Sequence, residues 1–558
     1  MKATKRGKSV EKKSREAAPS KNIGIAASWE KYLKNLLPGL VLAVVLVTSL
    51  WAMTRQREKP LLDMHSFRQT QTAISTYYMA KDPGMFLNYI TPVLGKPWQA
   101  PMESPIYQWI VARWHNISGI SLDQSGKLIS ILFWMACIWP SWWMLGLLNF
   151  TSPQRNFAGV LIYSSPLYLY WGRAFMIETT GLFFALGMVA CVVAGYRVRD
   201  WRWLLAALAF GTMAALCKAS TWAIAVGVAG LIVLFSDGLP KWRDWRWIAG
   251  SGIVAVLPFI PTKLWLDYGD SLKMLNPFVR ELFVVSSPHQ SQWNYGTLQQ
   301  KLDPATWEHI WRHITDQLLV PFPVAGPFLM VFALVAGAIS SPKRIPLILI
   351  FLAGFASGPV IFTNLYFEHS YYWCANGIWL LLAVGTALAG IWECRPGRIW
   401  PQAVALVLAL TIAVSGFVAW SQRFLPILQS LPTREQFDEA WRKPVQKIVP
   451  PGRTILIVGN DWNPNSLYYA ERKGIAFPTA SWIPFPGPQL DESRAKLDPT
   501  EALGAVVINE RLISTDNQSG VSAILEKLGM SREGIRTPFG ILFPALDLKF
   551  GPLPTNEK

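Results

Sequence analysis

Five short, widely separated segments carry side chains of the kinds that move protons and hold phosphate. The first is Asp63-Met-His65-Ser-Phe-Arg68-Gln69-Thr-Gln71-Thr72. Read as a helix from Met64, it places His65, Arg68, Gln69 and Thr72 at i, i+3, i+4 and i+7, one polar stripe, with Asp63 at the N-cap position. The second holds Glu103 between Pro101 and Pro105, which stiffen the backbone on both sides. The third runs from Arg173 to Glu178, the fourth centres on Lys218, and the fifth contains His369, Tyr371 and Tyr372. A carboxylate can act as general base on a hydroxyl. An arginine grips a phosphate with a two-pronged fork, and a lysine acts on it as a point charge. This set suits activation of an acceptor hydroxyl alongside stabilisation of a phosphate leaving group. Plainer readings compete: a capped amphipathic interfacial helix for the first segment, and an Arg173–Glu178 ion pair tying a turn for the third.

These segments need elements that bring them to one place, and the rest of the chain describes them. The 558 residues are 51% hydrophobic and 16% charged, whereas soluble domains carry about a quarter charged residues. Apolar runs lie near 37–53, 128–148, 157–174, 179–196, 203–218, 220–236, 247–265, 319–339, 345–363, 371–391 and 402–420. They read as about eleven transmembrane helices, since about 20 apolar residues cross a bilayer. Many of the 28 tryptophans flank these runs, Trp51, Trp201, Trp245 and Trp400 among them, as membrane interfaces favour. Alternate loops are short and basic: Arg155; Arg197, Arg199 and Arg202; Lys241, Arg243 and Arg246; Lys343 and Arg344; Arg395 and Arg398. By the positive-inside rule these are cytoplasmic. The N-terminus then lies inside, the C-terminus outside, and all five chemical segments on the outer edge. The net charge of +17 is accounted for in the same way, without nucleic acid.

Residues 1–34 read as a disordered basic cytoplasmic tail, too long and too charged for a cleavable signal peptide. Residues 35–423 form the membrane domain. Its first outer loop, 54–127, contains helix-like stretches at Met64–Met79 and Ile106–Ile117, the latter lying in the interface. A second outer loop, 266–318, carries Trp293, Tyr295, His309 and His313. Residues 424–558 change character. Strand patterns at Thr454–Gly459, Ala505–Asn509 and Gly540–Pro544 alternate with helical ones at Asn463–Lys473 and Val521–Leu528, as in a small extracytoplasmic α/β domain. The turn Gly459-Asn460-Asp461 lacks a dinucleotide fingerprint, and the five cysteines have no paired spacing.

The five segments, in this order and on one side, resemble motifs of the GT-C superfamily of glycosyltransferases that use polyprenyl-phosphate sugars. The resemblance is nearest to family 39 and the RgtA/B/C/D-like bacterial membrane proteins, relatives of protein O-mannosyltransferases and of the lipid A aminoarabinose transferase. His65-Ser-Phe-Arg68-Gln69 is similar to H-S-W-R-Q, and Glu103-Ser-Pro105-Ile-Tyr107-Gln108 to E-x-P-L-Y-Q. Arg173 to Glu178 is similar to R-x-x-M-P-[DE], Lys218 to T-K-[GA], and His369-Ser-Tyr371-Tyr372 to H-x-Y-Y. The resemblance implies an inverting transfer of a sugar from a polyprenyl-phosphate donor to an extracytoplasmic lipid, polysaccharide or protein acceptor, in a bacterial inner membrane. Asp63 and Glu103 are both candidates for the catalytic base, because Gln71 stands where many relatives carry an acid. Arg68, Arg173 and Lys218 would face the donor phosphate, and His65, Gln69, Glu178, His369, Tyr371 and Tyr372 the substrate pocket. Some relatives bind a divalent metal, and His65, Asp63 and Glu103 are of ligating types, though their spacing is not diagnostic. A lipid-linked glycan ligase or polymerase is the alternative enzyme. A transporter or flippase would place ionisable groups in mid-span, beside broken helices in symmetric pairs.

Overall fold

The computed structural model describes residues 21–236, 245–318, 325–395, 399–477, 503–513 and 518–548. Residues 1–20 of the expected tail, the loop bearing Lys241 and Arg243, the first residues of the span expected at 319–339, and Arg398 lie outside the described residues. Helix α1 spans Lys21–Thr54, so helix replaces the disorder expected over residues 21–34. That stretch carries three lysines, two alanines, a leucine and a glutamate, all good helix formers. The segment expected to be the first outer loop contributes α2 (Ser66–Lys81) and α3 (Ile106–Ser118). The chain continues through α4 (Leu122–Ala136), α5 (Ile138–Leu147), α6 (Ser152–Ser164), α7 (Pro166–Trp171), α8 (Glu178–Val198), α9 (Arg202–Cys217) and α10 (Ala219–Phe235).

Among the described residues, seven helical stretches are long and apolar enough to cross a membrane: Leu36–Thr54, Leu122–Leu147, Glu178–Val198, Trp245–Lys273, Pro342–Ile361, Ser370–Glu393 and Ile399–Ser430. Three shorter apolar helices, Arg202–Cys217, Ala219–Phe235 and Pro327–Ser340, match three further expected spans. The run at 157–174 is divided into α6 and α7 at Ser165-Pro166, where the proline amide has no hydrogen to give the helix. The chain is a multi-pass membrane protein, and length alone yields fewer spans than eleven. The helix Trp373–Glu393 is buried from Trp373 to Ile391. It is the axis against which α6 and the helices Ile345–Ile361 and Ala325–Ser340 pack.

The C-terminal part forms a five-stranded sheet of β1 (Thr454–Val458), β2 (Gly474–Ala476), β3 (Leu503–Ile508), β4 (Ile535–Thr537) and β5 (Gly540–Pro544), in the order β2-β1-β3-β5-β4. β1 is parallel to β2 and β3, and β5 is antiparallel to β3 and β4. β1, β3 and β5 match the strand patterns of the sequence, whereas β2 and β4 are three residues long, too short for alternation to mark them.

This sheet is built into the membrane part. Loop residues 92–95 lie along β2, with Ala476 N donating to Val93 O at 2.7 Å and Gly474 N to Pro92 O at 3.1 Å. Asp123, buried at the start of α4, accepts from the hydroxyls of Tyr468 (2.5 Å) and Tyr469 (3.1 Å) and pairs with Arg434 at 2.7 Å. One apolar core runs from Leu61, Ile74 and Val111 of the outer loop through Trp441 to Ile455 and Val507 of the sheet. The helix bearing the first chemical segment therefore has the α/β unit as one of its walls.

Candidate active site at one end of the bundle

Helix α2 begins at Ser66 rather than Met64. His65 sits at its N-cap in a left-handed conformation (φ 50°) and makes no capping bond. It is thereby removed from the stripe it was expected to share with Arg68, Gln69 and Thr72. Residues 68–76 are buried without a break, so α2 is an interior helix and not a surface amphipathic one. Its hydroxyls return to its own backbone, as Thr72 to Arg68 O and Thr76 to Thr72 O. Its remaining polar groups find tertiary partners. Asn465 of the α/β unit accepts from the Thr70 hydroxyl at 2.6 Å and donates to Ser66 at 2.9 Å, fixing the helix that carries Arg68 and Gln69.

Asp63 is not the N-cap. It accepts from Gln69 Nε2 and pairs with Arg173 at 3.5 Å, with both side chains almost wholly buried. Gln69 Oε1 accepts from Phe175 N at 3.1 Å, which holds the Arg173–Ile177 turn against α2. The close packing of α4 here depends on Gly126, where a Cβ would stand 2.0 Å from the Phe175 ring. The Arg173–Glu178 pair expected of this turn does not form: each residue is taken by a partner from elsewhere. Arg173 Nε and Nη1 are buried and have no hydrogen-bond partner among the described residues.

Glu178 instead pairs with Lys218 at 3.0 Å. Gly181 permits this, because its missing side chain lets Lys218 Cβ lie 2.8 Å from where a Cβ would be. Lys218 also faces Glu103 Oε1 at 3.8 Å, and Arg68 donates to the same oxygen at 2.6 Å. A chain Arg68–Glu103–Lys218–Glu178 thus joins four of the five segments' ionisable residues. Glu103 is held by its backbone. Tyr89 OH donates to Glu103 O and accepts from Met102 N, and Trp265 Nε1 donates to Met102 O. Its carboxylate is 26% exposed where Asp63 is 5% exposed, and among the described residues no side chain bonds its second oxygen. Burial pushes the Glu103 carboxyl up, but Arg68 and Lys218 outweigh it and hold the group below the ordinary range. Arg68 keeps a buried Nε without a partner and donates a further bond to Gln71 at 2.8 Å.

The fifth segment closes this chain. Tyr372 lies over the Lys218 ammonium at 4.5 Å and Tyr371 at 5.8 Å. His369 stacks on Tyr371, and His65 meets both Tyr371 and His369 edge-on while bonding Ser370 at 3.1 Å. Burial, reinforced by His313, lowers the His65 imidazole to about 4. Burial and the neighbouring His65 and cations lower His369 to about 3. Both rings are neutral at pH 7. The structure does not gather His65, Asp63 and Glu103 around one point, and among the described residues no three His, Cys, Asp or Glu side chains form a metal-sized group.

Two further contributors, Lys127 and Trp171, are not among the expected site residues. Lys127 is buried, and donates to Lys59 O at 2.5 Å behind the Asp63–Arg173 pair. Its signal was a lysine at the very edge of an apolar run. Trp171 is buried beside the His65 ring at 5.6 Å and donates to Gln317 at 2.9 Å. Nothing separated it from the other tryptophans.

The neutral histidines set a pH response. His65 is neutral in the folded protein down to about pH 4, but titrates near 6.5 once unfolded. Between these values the unfolded chain binds the extra proton. The stability His65 contributes is therefore complete above pH 6.5 and is lost as pH falls towards 4, by about 3 kcal/mol at most. The thermal midpoint of the detergent-solubilised protein should drop between pH 7.5 and pH 4.5, and a His65→Asn, His369→Asn double variant should drop less. An equal drop in both would remove the histidines as its cause.

Residues 100–265 match the family model described as dolichyl-phosphate-mannose-protein mannosyltransferase. No curated protein matches the chain by sequence. Among solved structures, ArnT from Cupriavidus metallidurans bound to undecaprenyl phosphate superposes with a TM-score of 0.57 at 13% identity, over 91% of this chain and 99% of that one. The apo state of the same protein gives 0.56 at 14% identity, over 90% and 97%. The chain shares the membrane fold of ArnT, and over residues 100–265 it is similar to the protein mannosyltransferase family, the kind of resemblance its motifs led one to expect.

Proposed function

We propose that the protein is a glycosyltransferase that moves one sugar from a polyprenyl-phosphate donor to an acceptor hydroxyl on the outer face of a bacterial inner membrane, with inversion. The N-terminus would be cytoplasmic and the α/β unit extracytoplasmic. The observation that carries this reading is the Arg68–Glu103–Lys218–Glu178 chain at one end of the bundle, in which, among the described residues, one Glu103 oxygen has no side-chain partner and the buried Arg68 Nε has no partner at all. A buried N–H left unpaired costs about 1–3 kcal/mol, and an anionic phosphate would recover it. The family-model match and the undecaprenyl phosphate in the ArnT structure support a lipid-phosphate donor.

In this reading Glu103 takes the proton from the acceptor hydroxyl as its oxygen attacks the anomeric carbon. The bond from that carbon to the phosphate oxygen breaks on the opposite face, and the phosphate leaves with the electron pair. Arg68, Lys218 and Arg173 stabilise the charge it gains. Asp63, with both oxygens engaged, holds Arg173 in place. His65, His369, Tyr371 and Tyr372 form an aromatic wall for the sugar, with Gln69 bracing the turn behind it. The polyprenyl tail remains among the lipid-facing helices.

The test uses purified protein, undecaprenyl-phosphate sugars radiolabelled in the sugar, and an envelope extract as acceptor. Sugar-dependent appearance of undecaprenyl phosphate is expected with one donor of the panel. Accumulation of transported, unreacted donor across proteoliposomes, with no undecaprenyl phosphate released, would replace the transferase by a flippase.

A further inference from the structure

The loop at the carboxyl end of β1 in the α/β unit lies against the outer-loop segment of the site, through Trp462 and Phe67. β1 runs parallel to β2 on one side and to β3 on the other, so the strand order reverses beside β1. In open parallel sheets ligands bind outside the carboxyl ends of the strands at such a reversal. Here that place is formed by the loop after β1 and by Asn509 after β3. The loop has a fixed shape. Asn509 Nδ2 donates to Asn460 Oδ1 at 2.6 Å and to Gly459 O at 3.2 Å, and Asn460 Nδ2 donates to Phe539 O at 2.8 Å. Asp461 is held with φ 54°, a left-handed conformation that costs energy away from glycine.

The fixed loop presents two side chains. Trp462 lies edge-to-face on Phe67 of the outer-loop segment at 5.6 Å and on Phe283 at 5.0 Å. Phe67 in turn meets His369 at 5.7 Å, so Trp462 is two ring contacts from the His369 side of the site. Its indole N–H makes no hydrogen bond among the described residues. Asp461 is half-buried, has no cation paired to it among the described residues, and its carboxyl is pushed up by burial.

We infer that the Asn460–Asn463 loop is the acceptor-binding element and that the acceptor it takes is a carbohydrate. This rests on the glycosyltransferase reading above. An aromatic face suits the C–H face of a sugar ring, an indole N–H donates to a sugar oxygen, and a carboxylate without a counter-cation accepts from neutral hydroxyls. An extended peptide would look for a free strand edge, but the β2 edge beside the outer loop is already paired by residues 92–95.

The experiment is a binding measurement that needs no turnover. The full chain in nanodiscs is mixed, without donor, with the water-soluble glycan fraction released by mild acid from envelopes of the native cells and treated with proteinase. Saturation-transfer NMR then reports contact with sugar protons. Wild type should transfer saturation to the glycan. Trp462→Ala and Asp461→Asn should weaken it at least ten-fold, and Trp462→Phe should restore part of it, with unchanged melting curves showing that the variants fold. Undiminished transfer in both loop variants would overturn the inference, as would binding of a Ser/Thr-rich peptide by wild type in place of the glycan. Because no donor is present, failure of the transferase reading would show separately, as absence of undecaprenyl phosphate release.

Discussion

Replacing Glu103 by glutamine should lower kcat for sugar transfer by about a thousand-fold, within the range that general base catalysis contributes. The amide keeps the shape and can still receive the Arg68 N–H that Oε1 now accepts at 2.6 Å, but it cannot take a proton. Because the carboxyl is held below its usual range by Arg68 and Lys218, it is ionised at neutral pH and available as a base throughout the working range. Asp63→Asn should behave differently. Asp63 is buried with both oxygens engaged by Gln69 and Arg173. Its loss should act through Arg173, raising the KM for the lipid donor more than it lowers kcat. Steady-state kinetics of the two variants against one donor decide the matter. If Asp63→Asn abolishes turnover at saturating donor and Glu103→Gln does not, the base is Asp63 and Glu103 is its electrostatic neighbour.

Arg173→Gln should cost the protein about 3–5 kcal/mol, because it strands the Asp63 carboxylate in the interior without its cation. Arg173 is 2% exposed and Asp63 5% exposed, so water cannot replace the lost partner. A wholly buried pair is nevertheless a poor source of stability on its own account, since both ions were desolvated to form it. The double variant Asp63→Asn, Arg173→Gln should therefore regain much of what the single change loses. Melting midpoints of wild type, both single variants and the double variant form a cycle, and additive losses would show that the two residues are not coupled. The double variant, although refolded, should still bind undecaprenyl phosphate poorly, because the guanidinium Nε and Nη1 that lack protein partners go with it. Recovered stability with wild-type affinity for undecaprenyl phosphate would take Arg173 out of the donor site.

The chain's covalent order determined a good deal by itself. The length and spacing of apolar runs, the basic short loops and the tryptophans at the run ends specify a multi-pass bundle, because the cost of burying charge in hydrocarbon leaves few other arrangements. The same cost makes an ionisable residue at a run's edge conspicuous, which is why Arg173, Glu178, Lys218 and the His369 turn could be singled out before any geometry was known. Alternation likewise revealed β1, β3 and β5.

Pairing was decided only by the tertiary structure. Arg173 and Glu178 are five residues apart and invite a local ion pair, yet each found a partner across the fold, in Asp63 and Lys218. The exposed residue among the carboxylates, the left-handed turn that takes His65 off the α2 stripe, and the insertion of Lys127 behind the site all follow from how helices from distant parts of the chain meet. No periodicity encodes that. The same holds for the α/β unit. Its strands could be read, but its union with the outer loop through Asp123, Asn465 and residues 92–95 depends on contacts between segments more than 300 residues apart. Those contacts form because each side alone would leave polar groups and apolar surface exposed, and only the folded chain brings the two together.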